Sequence, residues 1–186
     1  GQSLGTKGAY GAIVDSLKAN FQRKAPQDME PNELLRILED TMVYVPSSTA
    51  MQEVCDISLY DHVKMTAAIA GAMMRYMRNH GIADYKTFCF TEGKAYRQDE
   101  TMLFVSGDFS GIQKFIYRVL TKGAMRMLRG RSFYLQMVLE NAIDDLLDQL
   151  GLSRANLIYS GGGHFYMLVD HSEETKEILR KGFEEI

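Results

Sequence analysis

The chain has 186 residues, of which 46% are hydrophobic and 24% charged, with three prolines and a formal net charge of −3. That suffices for one domain of ordinary size or one domain with a short appendage, and the composition is that of a soluble globular protein. No stretch approaches the roughly 20 consecutive apolar residues of a membrane span, and the mild acidity excludes a global nucleic-acid charge signature.

The opening residues, GQSLGTKGAY, lack an initiator Met and the apolar core of a signal peptide. They lead us to expect a cytoplasmic protein and an excised or processed piece. Cys55 and Cys89 lie far apart and match no zinc spacing, so two reduced thiols are expected. The charges are unevenly placed. From Lys114 to Arg131 the chain carries Lys114, Arg118, Lys122, Arg126, Arg129 and Arg131 and no acidic residue.

To about Ile82 the pattern is helical. Ile13, Val14, Leu17 and Phe21 recur at helical spacing from Tyr10 to Phe21, and Pro31-Asn32-Glu33 opens a second helix through Leu34, Leu35, Ile37, Leu38 and Met42. Pro46-Ser47-Ser48-Thr49 is a break. A third helix, from about Leu59 to Asn79, places Val63, Ala67, Ala70, Met74 and Met77 along one stripe, and Gly81 suits a left-handed cap.

Beyond it the pattern changes. Thr87 to Phe90 and Met102 to Val105 read as strands. Ser110 is a plausible N-cap for a helix through Ile112, Phe115, Ile116, Val119 and Leu120. A longer helix from about Ser132 to Leu150 has a continuous apolar face from Leu135 to Leu150 and stops at Gly151. Leu157 to Ser160 and His164 to Val169 flank Gly161-Gly162-Gly163, which predicts a hairpin. Ser172 caps a last helix with Ile178, Leu179 and Phe183, its dipole complemented by Glu173 and Glu174. The expected fold class is therefore α+β: an N-terminal helical segment over residues 1–83, then a ferredoxin-like βαββα domain over 84–186 lacking its closing strand. The open edge calls for a missing strand or another chain to cover it.

Chemistry could lie in several places. Asp108 would stand at a strand end, before backbone N–H groups of Ser110 to Gln113, a pairing suited to phosphate and its divalent cation. The alternative is an Asp that only caps the turn. The tip Ser160-Gly161-Gly162-Gly163-His164 lets a ligand approach the backbone closely but carries no carboxylate, and otherwise is an ordinary glycine turn. Asp61-His62 at a helix start suggests metal ligands, yet no second His-Asp pair completes a site, and a capping Asp with a structural His is the plainer reading. Arg129 and Arg131 flank Gly130 just before Phe133 and Tyr134, so phosphate contact with base stacking stands beside a solvated basic face.

The order of these segments is more specific than any one of them. Ile57-Ser58-Leu59-Tyr60-Asp61-His62, then Gly107-Asp108-Phe109-Ser110-Gly111-Ile112-Gln113-Lys114-Phe115-Ile116-Tyr117, then Leu128-Arg129-Gly130-Arg131-Ser132-Phe133-Tyr134-Leu135, then Tyr159-Ser160-Gly161-Gly162-Gly163-His164-Phe165-Tyr166 resembles the Csm-type large subunit of type III-A CRISPR interference complexes. The match runs from about Tyr44 to the C-terminus.

The resemblance implies an HD nuclease for single-stranded DNA, a first palm, a zinc-containing helical domain and a second palm whose Gly-Gly-Asp-Asp hairpin, paired with the first palm, turns ATP with Mg or Mn into cyclic oligoadenylate once target RNA is bound. This chain would then hold the end of the HD region or its linker and the first palm. The Gly-Gly-Asp-Asp motif, the His-Asp nuclease pair and a zinc-ligand cluster are all absent, so no catalytic residue and no bound cofactor are expected in the chain alone. What remains is half of an ATP pocket: Asp108, Phe109, Ser110 and Gly111 with Ser160, Gly161, Gly162 and Gly163. Asp108 is its candidate metal-side contact, and Asp61 with His62 a second candidate pair. Lys114, Arg126, Arg129 and Arg131 are candidates for contact with guide RNA or neighbouring effector subunits. The implied partners are the second palm and the zinc-containing domain, those subunits, guide and target RNA, and ATP, with no membrane. The competing reading is a scaffold and RNA-docking module.

Overall fold

A computed structural model describes residues 7–48, 56–96, 98–109, 111–117 and 124–185. It divides into two compact units, Gly1–Ala67 and Ala68–Ile186. The division falls inside a helix, whereas the sequence reading places a boundary at 83/84.

In the first unit α1 spans Lys7–Arg23 and α2 spans Pro31–Met42, the latter opening on Pro31, whose fixed φ and missing N–H suit a first helical turn. Lys24 and Glu33 pair at 2.5 Å between them. A backbone bridge joins Pro46 to Ser58 just before α3, Leu59–Asn79. Among the described residues no helix is long and apolar enough to cross a membrane.

The second unit combines helices with a three-stranded antiparallel sheet in the order β1-β3-β2, with β1 at Met102–Asp108, β2 at Leu157–Gly161 and β3 at His164–Asp170. Side chains alternate across a strand. On one face Leu103, Val105, Phe165, Met167 and Val169 pack on α6, Ala124–Leu150, through Leu139, Ile143, Leu146, Leu147 and Leu150, and on α7, Glu173–Glu185, through Ile178 and Leu179. On the other face Phe104, Tyr166 and Tyr159 form an aromatic row across all three strands, with centroids 5.5 and 6.1 Å apart. A register shift between Leu157 and Tyr159 marks an irregularity in β2, after which Tyr159 stands beside Tyr166.

The turns obey the glycines. Gly162 and Gly163 take φ of 63° and 90°, the left-handed pair that a tight two-residue hairpin needs. Gly151 ends α6 at φ 61°, with Leu152 N–H donating to the Leu147 carbonyl at 2.9 Å. Ser172 caps α7, its Oγ accepting from the Thr175 N–H at 3.2 Å.

Two expectations need correction. Thr87–Thr91, read in part as a strand, is a π-helical turn, followed by the short α4, Gly93–Tyr96. Asp84 accepts from the Thr87 N–H and hydroxyl at 3.1 and 2.8 Å, which starts a helical turn, and a four-residue apolar run has no periodicity to set against that cap. The helix expected from Ser132 begins at Ala124 instead, because Met, Arg and Leu are good helix formers and outweigh one internal Gly130. Val119 and Leu120, expected in the preceding helix, lie outside the described residues.

A buried polar cluster holds the unit together. Arg75, in the part of α3 that belongs here, is 5% exposed, and its Nε lies 2.9 Å from Oδ1 of the fully buried Asp170. Arg75 also donates to the Leu150 carbonyl and, at 3.2 Å, to Thr175 Oγ1. Thr175 donates to Asp170 at 2.6 Å. Asn156, 2% exposed, donates to the Ala68 and Leu168 carbonyls at 2.9 and 2.8 Å. The expected result of Asn156→Leu is a loss of roughly 1–3 kcal/mol, since the Ala68 and Leu168 carbonyls each lose the hydrogen bond that Asn156 donates. Urea denaturation of the variant checks this, and an unchanged midpoint would refute it.

Candidate functional site

Antiparallel pairing of β1 with β3 brings the strand end and the hairpin tip together, because the register sets Asp108 opposite His164 and Gly107 opposite Phe165. Asp108 Oδ1 lies 3.3 Å from His164 Nδ1, with both side chains more than half exposed. Phe109 N–H donates to the Gly163 carbonyl at 2.9 Å, which ties the chain leaving β1 to the turn. Gly107 is required by its neighbour: a Cβ there would stand 2.2 Å from the Phe165 ring.

Beside the tip is a cavity of ≈ 200 Å³ lined by Phe109, Ile116, Ser132, Leu135, Gln136, Leu139, Gly162 and Gly163. Sites that take a whole drug-sized ligand span roughly 300–1,000 Å³. This one has room for a single ring system. Of the residues proposed from sequence, Phe109, Gly162 and Gly163 line it, and Asp108 precedes Phe109 in the chain. Gly161 pairs with His164 in the hairpin. Gly111, at φ 82°, precedes α5, Ile112–Tyr117. Ser110 lies outside the described residues.

Ser160 faces the helices rather than the cavity mouth. Its Oγ donates to Glu140 Oε1 at 2.7 Å. Gln136 Nε2 donates to the same oxygen at 2.7 Å, and Arg154 donates to Glu140 Oε2 at 2.7 Å and to both carboxylate oxygens of Asp144 at 2.8 Å. Burial pushes the Glu140 pKa up, but the hydrogen bonds from Ser160, Arg154 and Gln136 and the Arg154 charge outweigh it, so the carboxyl titrates below its usual range. The Arg154 guanidinium is raised above its usual pKa by hydrogen bonds to Asp144 and Glu140 and their charge, against the opposing effect of burial. Sequence reasoning missed Ser132, Gln136 and Glu140. The signal was their spacing of four, which stacks them with Asp144 on one face of α6; the partners Ser160 and Arg154 come from elsewhere in the chain.

A lowered carboxylate pKa stabilises the fold above the unfolded value and loses that contribution as pH falls through the folded one. Glu140 therefore stabilises fully above about its ordinary value of 4.5, and the contribution fades below it. The expected observation is a urea midpoint that drops less steeply on acidification below pH 4.5 in Glu140→Gln than in the unsubstituted chain. Parallel profiles would remove Glu140 as a cause.

At the other candidate pair, Ser58 and not Asp61 is the cap of α3. Ser58 Oγ accepts from the Asp61 N–H at 3.0 Å and donates to Asp61 Oδ2 at 2.8 Å. Asp61 and His62 are both exposed, and no group of three or more His, Cys, Asp or Glu suited to a metal occurs among the described residues. Asp108 offers a hard cation one carboxylate, with an imidazole as its neighbour; such a set suits a cation already held by phosphate oxygens and not one held by protein alone. Cys89 is a free thiol.

Lys114, Arg126 and Arg129 are exposed. Arg131 is engaged: it donates to the Phe115 carbonyl at 2.8 Å, with its guanidinium carbon 5.3 Å from the centre of the Phe115 ring. Tyr134 lies 6.3 Å from that ring. Arg118 and Lys122 fall outside the described residues.

Helices on one face of a small three-stranded antiparallel sheet match a known class of CRISPR subunit domain. Residues 101–186 fit the family model described as Csm1 subunit domain B. The chain is 44% identical over 175 residues to the single-strand-specific deoxyribonuclease Cas10/Csm1 (subtype III-A) of Mycobacterium tuberculosis, covering 94% of this chain and 22% of that protein. The crystal structure of Csm1 in T. onnurineus superposes with a TM-score of 0.75 at 34% identity, covering 94% of this chain and 22% of that one. A Csm1–Csm4 cassette solved in complex with AMPPNP matches with a TM-score of 0.72 at 34% identity, over 93% of this chain and 22% of that one. The chain belongs to the Cas10/Csm1 family of subtype III-A CRISPR systems and spans about a fifth of the length of the curated relatives it matches.

Proposed function

We propose that this chain supplies half of an ATP-binding site to the large subunit of a type III-A CRISPR complex, as the first of two ferredoxin-like palms in a cyclic oligoadenylate synthase, and performs no catalysis alone. The observation that carries this reading is the meeting of Asp108 and Phe109 with the Gly162-Gly163 turn at the mouth of a ring-sized cavity. The glycines leave backbone open to close approach, and Phe109, Leu135 and Leu139 offer the base an apolar wall. Asp108, exposed at the rim, faces the side where a phosphate-bound Mg or Mn ion would stand. The cassette solved with AMPPNP supports a nucleotide site in this family.

The strand order supports the palm assignment. With β3 antiparallel to both neighbours, β1 and β2 run parallel with β3 between them, the arrangement of a split βαβ unit. Among the described residues β1 is an edge, where a closing strand would pair. In this reading the second palm, the zinc-containing helical domain and a Csm4-like subunit are partners, and exposed Lys114, Arg126 and Arg129 meet RNA phosphates or a neighbouring subunit.

A calorimetric titration of Mg–ATP into the chain tests the proposal. Saturable binding is expected, weakened about tenfold or more in Asp108→Ala and in Gly162→Trp, where each loses at least roughly 1.4 kcal/mol. The absence of binding, or unchanged affinity in both folded variants, would remove the site.

A further inference from the structure

Building on that nucleotide site, we infer that Gln136 selects the bound base, its amide held by Glu140 so that the carbonyl end faces the ligand and adenine is accepted over guanine. Among the described residues the cavity has two polar side chains, Ser132 and Gln136, in an otherwise apolar lining closed by the Gly162-Gly163 turn. A glutamine amide can present either a donor or an acceptor, and its neighbours decide which. Here Gln136 Nε2 is 2.7 Å from Glu140 Oε1. An ionised carboxylate only accepts, so the amide nitrogen must turn toward it, and a flipped amide would set oxygen against oxygen.

Glu140 is itself fixed. Arg154 grips its second oxygen at 2.7 Å while bound through two nitrogens to Asp144. Ser160 donates to the first oxygen, which commits its hydroxyl proton and leaves that hydroxyl to accept only a long 3.4 Å approach from Gln136 Nε2. Among the described residues both hydrogen-bond partners of the amide nitrogen are therefore acceptors toward it, and the hydrogen bonds of Gln136 run from that nitrogen. Its Oε1 is the end left to meet a ligand.

Adenine carries an amino donor at its six position, whereas guanine carries a carbonyl there. The first answers Gln136 Oε1. The second would face it with another acceptor, leaving two polar atoms unpaired, and sites that hydrogen-bond a substrate reject analogues lacking the partner group. Gln136 is thus the contact, and Glu140 a positioning residue that acts through it.

The test is calorimetric titration of the Mg complexes of ATP, GTP and purine riboside triphosphate, which has hydrogen at position six, into the chain and into Glu140→Gln and Gln136→Leu. ATP is expected to bind about tenfold or more tighter than either other nucleotide, a difference of at least roughly 1.4 kcal/mol. In Glu140→Gln, where residue 140 can donate as well as accept, Gln136 is free to flip. The ATP-to-GTP ratio should then fall several-fold, chiefly through tighter GTP binding, a gain that damage to the fold would not produce. Gln136→Leu should bring ATP down to the level of purine riboside triphosphate. Equal affinities in the unsubstituted chain, or a full ratio retained in Glu140→Gln, would overturn the base-selection inference and leave the nucleotide site standing. Failure of all the nucleotides to bind would overturn both.

Discussion

Arg75→Ala is expected to cost about 3–5 kcal/mol, the range for removing one partner of a buried ion pair. The remaining Asp170 is fully buried and, among the described residues, would keep only the side-chain bonds from Thr175, at 2.6 Å, and a long contact from Asn79, at 3.4 Å. The Leu150 carbonyl at the end of α6 would lose its donor as well. The cost falls where α3, the end of α6, the end of β3 and the start of α7 converge, so the loss should be global and not a local fraying. Denaturant unfolding followed by circular dichroism measures it. A double variant, Arg75→Met with Asp170→Leu, should recover part of the loss, because an apolar pair leaves no uncompensated charge. A single variant within about 1 kcal/mol of the parent would show that solvent reaches Asp170.

Gly107→Ala should cost roughly 1–3 kcal/mol through overpacking, and it should disturb the site as well as the fold. The added Cβ would lie 2.2 and 2.3 Å from two ring atoms of Phe165. Phe165 is 1% exposed and stacked 6.1 Å from Phe183, so its ring has little room to withdraw. Relief comes by separating β1 from β3 at the very end where Asp108 meets the hairpin. Nucleotide affinity should fall along with stability. Adding Phe165→Leu makes space for the methyl group, and the two changes together should cost less than their sum. Strict additivity would mean that the strand end moves for another reason.

Much of this was legible in the order of residues, because local physics decides it. Gly162-Gly163 demanded a tight turn, Gly81 and Gly151 ended helices, Ser172 capped α7, and the apolar face from Leu135 to Leu150 required a core-facing helix. Resemblance to the Csm-type large subunit rested on short motifs in a fixed order, and the comparisons bear it out. Where local signals were thin, the reading failed. Thr87–Phe90 offered four apolar or β-branched residues and no period, and the Asp84 cap turned them into a helical turn.

The sequence by itself determined most of the helices, the three strands of the sheet and the glycine turns, and that Asp108 and the glycine hairpin each end a strand, but not the helical turn at Thr87–Thr91 or the start of α6 at Ala124. Only the tertiary structure decided that these ends are neighbours, since β1 and β3 pair across more than fifty intervening residues. It also decided that Ser160 points to Glu140 while Gln136 borders the cavity, because hydrogen bonds between distant segments depend on how elements pack. Spacing along α6 could place Ser132, Gln136 and Glu140 on one face. What that face meets is set by the fold.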